Sequence, residues 1–174
     1  MIKLKMFSIL LIFLSLACTK NVDVGAVSGK KPVYISLEKY TNVKSENAKP
    51  FEIVGKIFKI GHTIYISDKG TGVHVINNAN PSAPTKQAFI SILGNNDMAV
   101  KNNVMFADNG DDLLAIDISD VSNIAVAKRL KNVYQFNAGY FPTDYFGYFE
   151  CVDEQKGIAL DWVDAKLENP KCRR

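Results

Sequence analysis

The feature that most restricts the fold of this chain is an internal period. Slid by 40 positions, the sequence matches itself without gaps from about Gly55 to Leu130. Ile64-Tyr65-Ile66-Ser67-Asp68-Lys69-Gly70 falls on Val104-Met105-Phe106-Ala107-Asp108-Asn109-Gly110. Val73-His74-Val75-Ile76-Asn77 falls on Leu113-Leu114-Ala115-Ile116-Asp117. Such a period marks a solenoid, propeller or array, because one repeat cannot bury its apolar surface alone. A shift of 85 gives a third, partial copy: Asp68 and Gly72 land on Asp153 and Gly157, and Val73 and Val75 on Ile158 and Leu160.

Each full copy reads as four short strands separated by turn residues. The first has strands near Ile53–Ile60, Thr63–Ser67, Val73–Asn77 and Gln87–Leu93. The second has them near Asp97–Val100, Asn103–Ala107, Leu113–Ile118 and Ala125–Val133. The middle strands are apolar at successive positions. Neighbouring side chains on a strand point to opposite faces, so both faces of each sheet must be covered. The expected class is all-β: a partial β-propeller of two four-stranded blades and part of a third, after an N-terminal signal helix. Propellers close with about four to eight blades, so a shorter stack leaves an open face at each end. The chain termini are the candidate caps for these faces, and self-association to complete a ring is the rival.

Ahead of the repeats lies an address. Lys3 and Lys5 precede a short apolar run, Met6 to Leu16, too short to span a bilayer but right for a signal peptide. The run ends in Ser15-Leu16-Ala17-Cys18, which resembles the bacterial lipobox. That resemblance implies cleavage after Ala17 and acylation of Cys18. The organisation that follows is a leader at 1–17, a tether and N-terminal cap at 18–50, repeats at 51–134, and an aromatic-rich third copy and C-terminal cap at 135–174. Within the second part, Thr19 to Lys31 reads as a flexible tether. The chain has a net charge of +3, and loss of the leader with its two lysines brings this to +1. A near-neutral mature chain gives no electrostatic reason to expect nucleic acid. The expected location is a bacterial cell envelope, at the outer membrane or cell surface, with the membrane reached through the lipid anchor.

The residues Ile64 to Asp68 and Val73 to Asn77, followed by Asn80-Pro81, resemble the LVIVD repeat of bacterial surface β-propellers, and Val104 to Asp117 resembles it equally. The likeness covers roughly residues 33–165. It implies a propeller-type fold and brings no catalytic motif with it.

Candidate sites are few. Cys151 and Cys172 remain once Cys18 is acylated, and outside the cytoplasm they are a candidate disulfide; two free buried thiols are the plainer alternative. Asp108-Asn109-Gly110-Asp111-Asp112 superficially resembles a calcium loop but lacks the ligand order and distal Glu of one, and a hairpin turn explains it. No metal and no cofactor are expected. His74, flanked by Val73 and Val75, reads as a structural histidine. Eight of the eighteen aromatics lie between Tyr134 and Phe149. Burial as a seal over the second blade is the cheaper account of them. Exposure would make Tyr140, Phe141, Tyr145 and Phe146 an interaction surface for an envelope protein or a glycan. The function these features suggest is binding or scaffolding at the envelope. The alternatives are a hydrolase, with Asp97, Asp111 and Asp112 as its acids, or a relic of a longer propeller.

Overall fold

The computed structural model describes residues 23–134 and 139–174. The leader, Cys18 and Phe136 lie outside the described residues. The elements in chain order are β1 (Ala26–Ile35), α1 (Leu37–Thr41), β2 (Lys44–Glu46), β3 (Val54–Ile60), β4 (Thr63–Asp68), β5 (Gly72–Asn77), β6 (Thr85–Ser91), β7 (Met98–Lys101), β8 (Val104–Asn109), β9 (Asp112–Asp117), β10 (Ala125–Leu130), β11 (Tyr148–Phe149), β12 (Ile158–Glu168) and β13 (Cys172–Arg173). The fold is all-β, in three sheets with orders β2-β6-β5-β4-β3, β10-β9-β8-β7 and β12-β1-β11-β13.

Each forty-residue copy forms one antiparallel meander, because its apolar runs are short and the turns between them are tight. The turn at Asn102-Asn103 places both residues at positive φ, the geometry that joins twisted strands through two residues. The first sheet has five strands where the repeat predicts four. Lys44–Glu46 pairs antiparallel with β6 and extends it.

The two meanders pack face to face and share one core. Tyr65, Val73, Val75, Ala88, Ile90 and Ile92 of the first copy meet Met98, Val100, Met105, Ala107, Leu114 and Ile116 of the second. Most of these side chains are wholly buried, so each copy supplies the cover for an apolar face of the other.

The register holds a difference that the sequence match conceals. Thr63 faces Asn77 in the first copy, whereas Val104 faces Asp117 in the second. β9 is displaced from β5 by 40 residues and β8 from β4 by 41, because the β4–β5 turn has three residues and the β8–β9 turn two. A slip of one residue exchanges the faces of a strand. Met105 and Ala107 therefore turn toward the first sheet, where their equivalents are Ile64 and Ile66 on its outer face. The stack is head to tail, with the front of one sheet against the back of the next.

The chain termini depart from expectation. Residues from Ala26 onward are not a tether: β1 is a ten-residue strand paired along its length with β12. Its second half, Pro32 to Ile35, reads as a short strand in the sequence, but Ala26 to Lys31 are mostly small or polar and their partners lie more than 120 positions away, so nothing local announces that half. The partial third copy is not a meander like the first two. Its strand β12 joins β1, while β11 pairs parallel to β1 at Lys30↔Phe149 and antiparallel to β13. The termini thus build a sheet with each other. This sheet meets the ends of the stacked loops: Tyr40 of α1 donates a hydrogen bond to the Asn109 carbonyl above Gly110, and Leu160 lies against Gly94. The outer face of the first sheet is covered in part: Phe51 lies over His74, which with Phe89 is fully buried, while Ile57 beside them is 62% exposed.

Candidate functional site

The aromatic stretch divides by environment. Phe149 is buried, with its ring edge-on to Trp162 at a centroid distance of 5.6 Å, and it anchors the stretch to the third sheet. Ahead of it, Gly139 to Gly147 form a loop. On it Phe146 is 79% exposed and Tyr140 58%, while Phe141 and Tyr145 are half-buried. Neither full burial nor full exposure describes the group.

The last residue of the chain holds this loop. The Arg174 guanidinium carbon lies 4.8 Å from the ring centroids of both Phe141 and Phe146. The same guanidinium donates hydrogen bonds to the carbonyls of Pro142 and Thr143, and the Arg174 amide donates to Gly147 at 3.0 Å. An arginine between two rings gains from their negative faces while its fork satisfies loop carbonyls. Next to it, Arg173 lies 5.2 Å from the Tyr148 ring. Cys151 and Cys172 are joined by a disulfide with a Cα–Cα distance of 5.3 Å, which ties the tail carrying both arginines to the strand that ends the loop.

Beside the loop runs a groove of about 460 Å³ lined by Ser28, Gly29, Tyr145, Asp164, Ala165 and Lys166. Lys30 bridges its wall, pairing with Asp164 at 2.8 Å and lying 5.8 Å from the Tyr145 centroid. Gly29 is required here. A Cβ at this position would come within 2.4 Å of the Tyr148 carbonyl and 2.5 Å of Leu167, so β1 can pass this close only without a side chain. The arrangement offers flat aromatic faces, paired charges and a concave strip, features that suit surface recognition.

The other candidate residues serve the fold. Asp68 and His74 are both fully buried and pair at 2.9 Å, with the imidazole between Phe51 at 4.3 Å and Phe89 at 4.8 Å. Asp68 also accepts from the amides of Glu52 and Ile53. Burial alone would raise its pKa, but the hydrogen bond from His74 and the two amides outweigh that and hold it below the ordinary carboxylate range. His74 is therefore a structural histidine with its carboxylate. Asp108 accepts from the amides of Asn96 and Asp97 and from the Asn95 side chain, and burial dominates to push its pKa upward.

The three acids named for a hydrolase are engaged in different ways. Asp97 bridges to Lys56 at 2.8 Å, Asp112 to Arg129 at 2.8 Å, and the Asp111 carbonyl accepts from Tyr134. Among the described residues no group of three or more His, Cys, Asp or Glu side chains is placed to hold a metal ion.

Sequence reasoning missed Arg173, Arg174, Lys30 and Asp164. The arginine–aromatic contacts span about thirty residues of chain, beyond any local pattern, and only the presence of two terminal cations beside an aromatic run hinted at them. No known family, curated protein or solved structure matches the chain.

Proposed function

We propose that the chain is a lipoprotein of the bacterial envelope, acylated at Cys18, whose two stacked sheets are propeller-type blades of the kind carried by the LVIVD repeat. It acts there as a binding or scaffolding module. The contact surface is the loop from Gly139 to Gly147 with its adjoining groove, and the partner is an envelope protein or a glycan. One observation carries this reading: Phe146 and Tyr140 stand largely in water on a loop that Arg174 and the Cys151–Cys172 disulfide hold in place. Large exposed aromatics on a fixed loop cost little entropy on binding and supply much of the contact energy when covered.

The test places a photo-crosslinking residue at position 146 in the living envelope, with the same residue at exposed Leu37 as control. The reading predicts a discrete adduct at 146 that disappears in the Tyr140→Ser variant and is absent at 37. Equal labelling at both positions, or none at 146, contradicts it. Intact mass of the mature chain reads the anchor separately: acyl mass on a chain beginning at Cys18, abolished by Cys18→Ala.

A further inference from the structure

The outer face of the first sheet is the back of the stack, and its equivalent in the second sheet shows what has changed on it. By the register, Ile57 corresponds to Met98, Lys59 to Val100, Ile76 to Ile116 and Lys86 to Val126. In the second sheet Met98 is 2% exposed, pressed against the first; in the first sheet Ile57 has no such cover. The centre of the face has kept its apolar character, with Ile64, Ile66 and Ile76 on the middle strands and Phe51, Ile53, Val54 and Ile57 exposed beside them. The rim has become cationic. Lys59 and Lys86 close the two ends of the row Lys59-Ile64-Ile76-Lys86. Lys49 stands 3.8 Å from the Phe89 centroid and Lys86 3.9 Å from that of Phe51. Glu52 is exposed among the apolar residues of the patch, and Glu46, opposite Phe89 on β2, is paired with Lys44 at 3.1 Å.

An apolar centre with long cationic side chains around it matches a bilayer surface bearing anionic headgroups: the aliphatic and aromatic groups enter the headgroup boundary while the lysines reach the phosphates. A second copy of the chain fits less well. The opposite face of the stack, which head-to-tail packing would bring against this one, carries Lys101 in line with Val104 and Asp117, and Lys128 in line with Ala115 and Phe106. It therefore offers the lysine rim one carboxylate beside two further cations, where anionic headgroups offer charge of one sign. We infer that the face formed by Phe51, Ile53, Val54 and Ile57, with Lys49, Lys59 and Lys86, docks on an anionic lipid surface. The inference stands on this face alone and does not require acylation at Cys18.

The test attaches an environment-sensitive dye at Ile53→Cys, and in a second preparation at Phe106→Cys, with Cys18 blocked by its acyl group or replaced by Ser. The full chain is mixed with vesicles of phosphatidylcholine alone or with phosphatidylglycerol added. The expected result is a blue shift of the dye at position 53 with the anionic vesicles, weakened by salt, and none at position 106. The variant carrying Lys59→Glu and Lys86→Glu should need more than about tenfold more lipid for the same shift. No shift with anionic lipid overturns the inference, as does an equal shift with phosphatidylcholine alone or at both positions. A shift that grows with protein concentration in the absence of lipid also overturns it, and assigns the face to a second copy. Because acylation is read from intact mass, failure of the anchor and failure of this face remain distinguishable.

Discussion

The two copies of the repeat differ most where their sequences agree best. Asp68 and Asp108 superpose in the forty-residue match, each followed by a turn containing glycine, yet they hold different things. Asp68 is bound to His74 and the chain entering the first sheet; Asp108 is bound to Asn95 and the link between the sheets. The cause is the single-residue slip, which makes Ser67, not Asp68, the structural counterpart of Asp108. Both positions brace the amide eleven residues upstream: the Ser67 hydroxyl accepts from Lys56, and the Asp108 carboxylate from Asp97. Identity in a repeat is therefore a poor guide to role when the strand can slide by one residue and still present an apolar side chain to either face.

The largest expected effect comes from taking the carboxylate away from His74. Asp68→Ala leaves a buried imidazole without its partner and two amides without an acceptor, and should cost about 3–5 kcal/mol in urea unfolding. Asp108→Asn keeps an oxygen acceptor for the same amides and should cost less than half of that. Equal losses would mean that the two acids play one role after all.

A second contrast sets Met98 against Ile57, which occupy one structural position in two environments. Met98→Ala empties space between the sheets and should cost about 2–5 kcal/mol. Ile57→Ala, on the open face, should change stability by no more than about 0.5 kcal/mol. Thermal melts of the pair distinguish these outcomes, and a large loss at Ile57 would show that its face is covered.

Next in size is the tail. Cys151→Ser with Cys172→Ser opens a loop of 21 residues, for which the chain-entropy relation gives about 3 kcal/mol. The loss should fall on the third sheet and release the loop carrying Phe146, while the stacked pair keeps its amide-exchange protection. Uniform loss of protection would show that the three sheets unfold as one.

The smallest effect is in the pH profile, where the two acids have opposite signs. The lowered pKa of Asp68 means that its stabilisation is present above the unfolded value of about 4 and is lost as pH falls through the folded value. The raised pKa of Asp108 works in reverse, its contribution being full below about pH 4 and lost as pH climbs through the folded value. Between pH 3 and 7, Asp68→Asn should lose ground to the unmodified protein as pH rises, and Asp108→Asn should gain. Parallel profiles would contradict the assignment.

The hairpins were legible because runs such as Val104–Ala107 and the turn within Asp108 to Asp112 are local signals, and the eight expected strands lie within a few residues of those observed. The same runs hid the register: a strand apolar on both faces reads alike in either of two alignments. The first half of β1 was invisible for the opposite reason, since Ser28, Gly29 and Lys30 carry no alternation and pair with β12, far along the chain. The aromatic cluster was seen as a group, but which rings face water depends on Arg174, whose side chain reaches them only after the tail has folded back.

The register is also where the account is most exposed to test, since the slip turns Met105 toward the first sheet and makes the stack head to tail. Cross-strand nuclear Overhauser contacts in isotope-labelled protein read it directly. The account predicts backbone contacts linking Met105 to Ile116 and Phe106 to Ala115. Contacts linking Met105 to Ala115, as an unbroken forty-residue repeat of the Tyr65–Val75 pair would require, would contradict it.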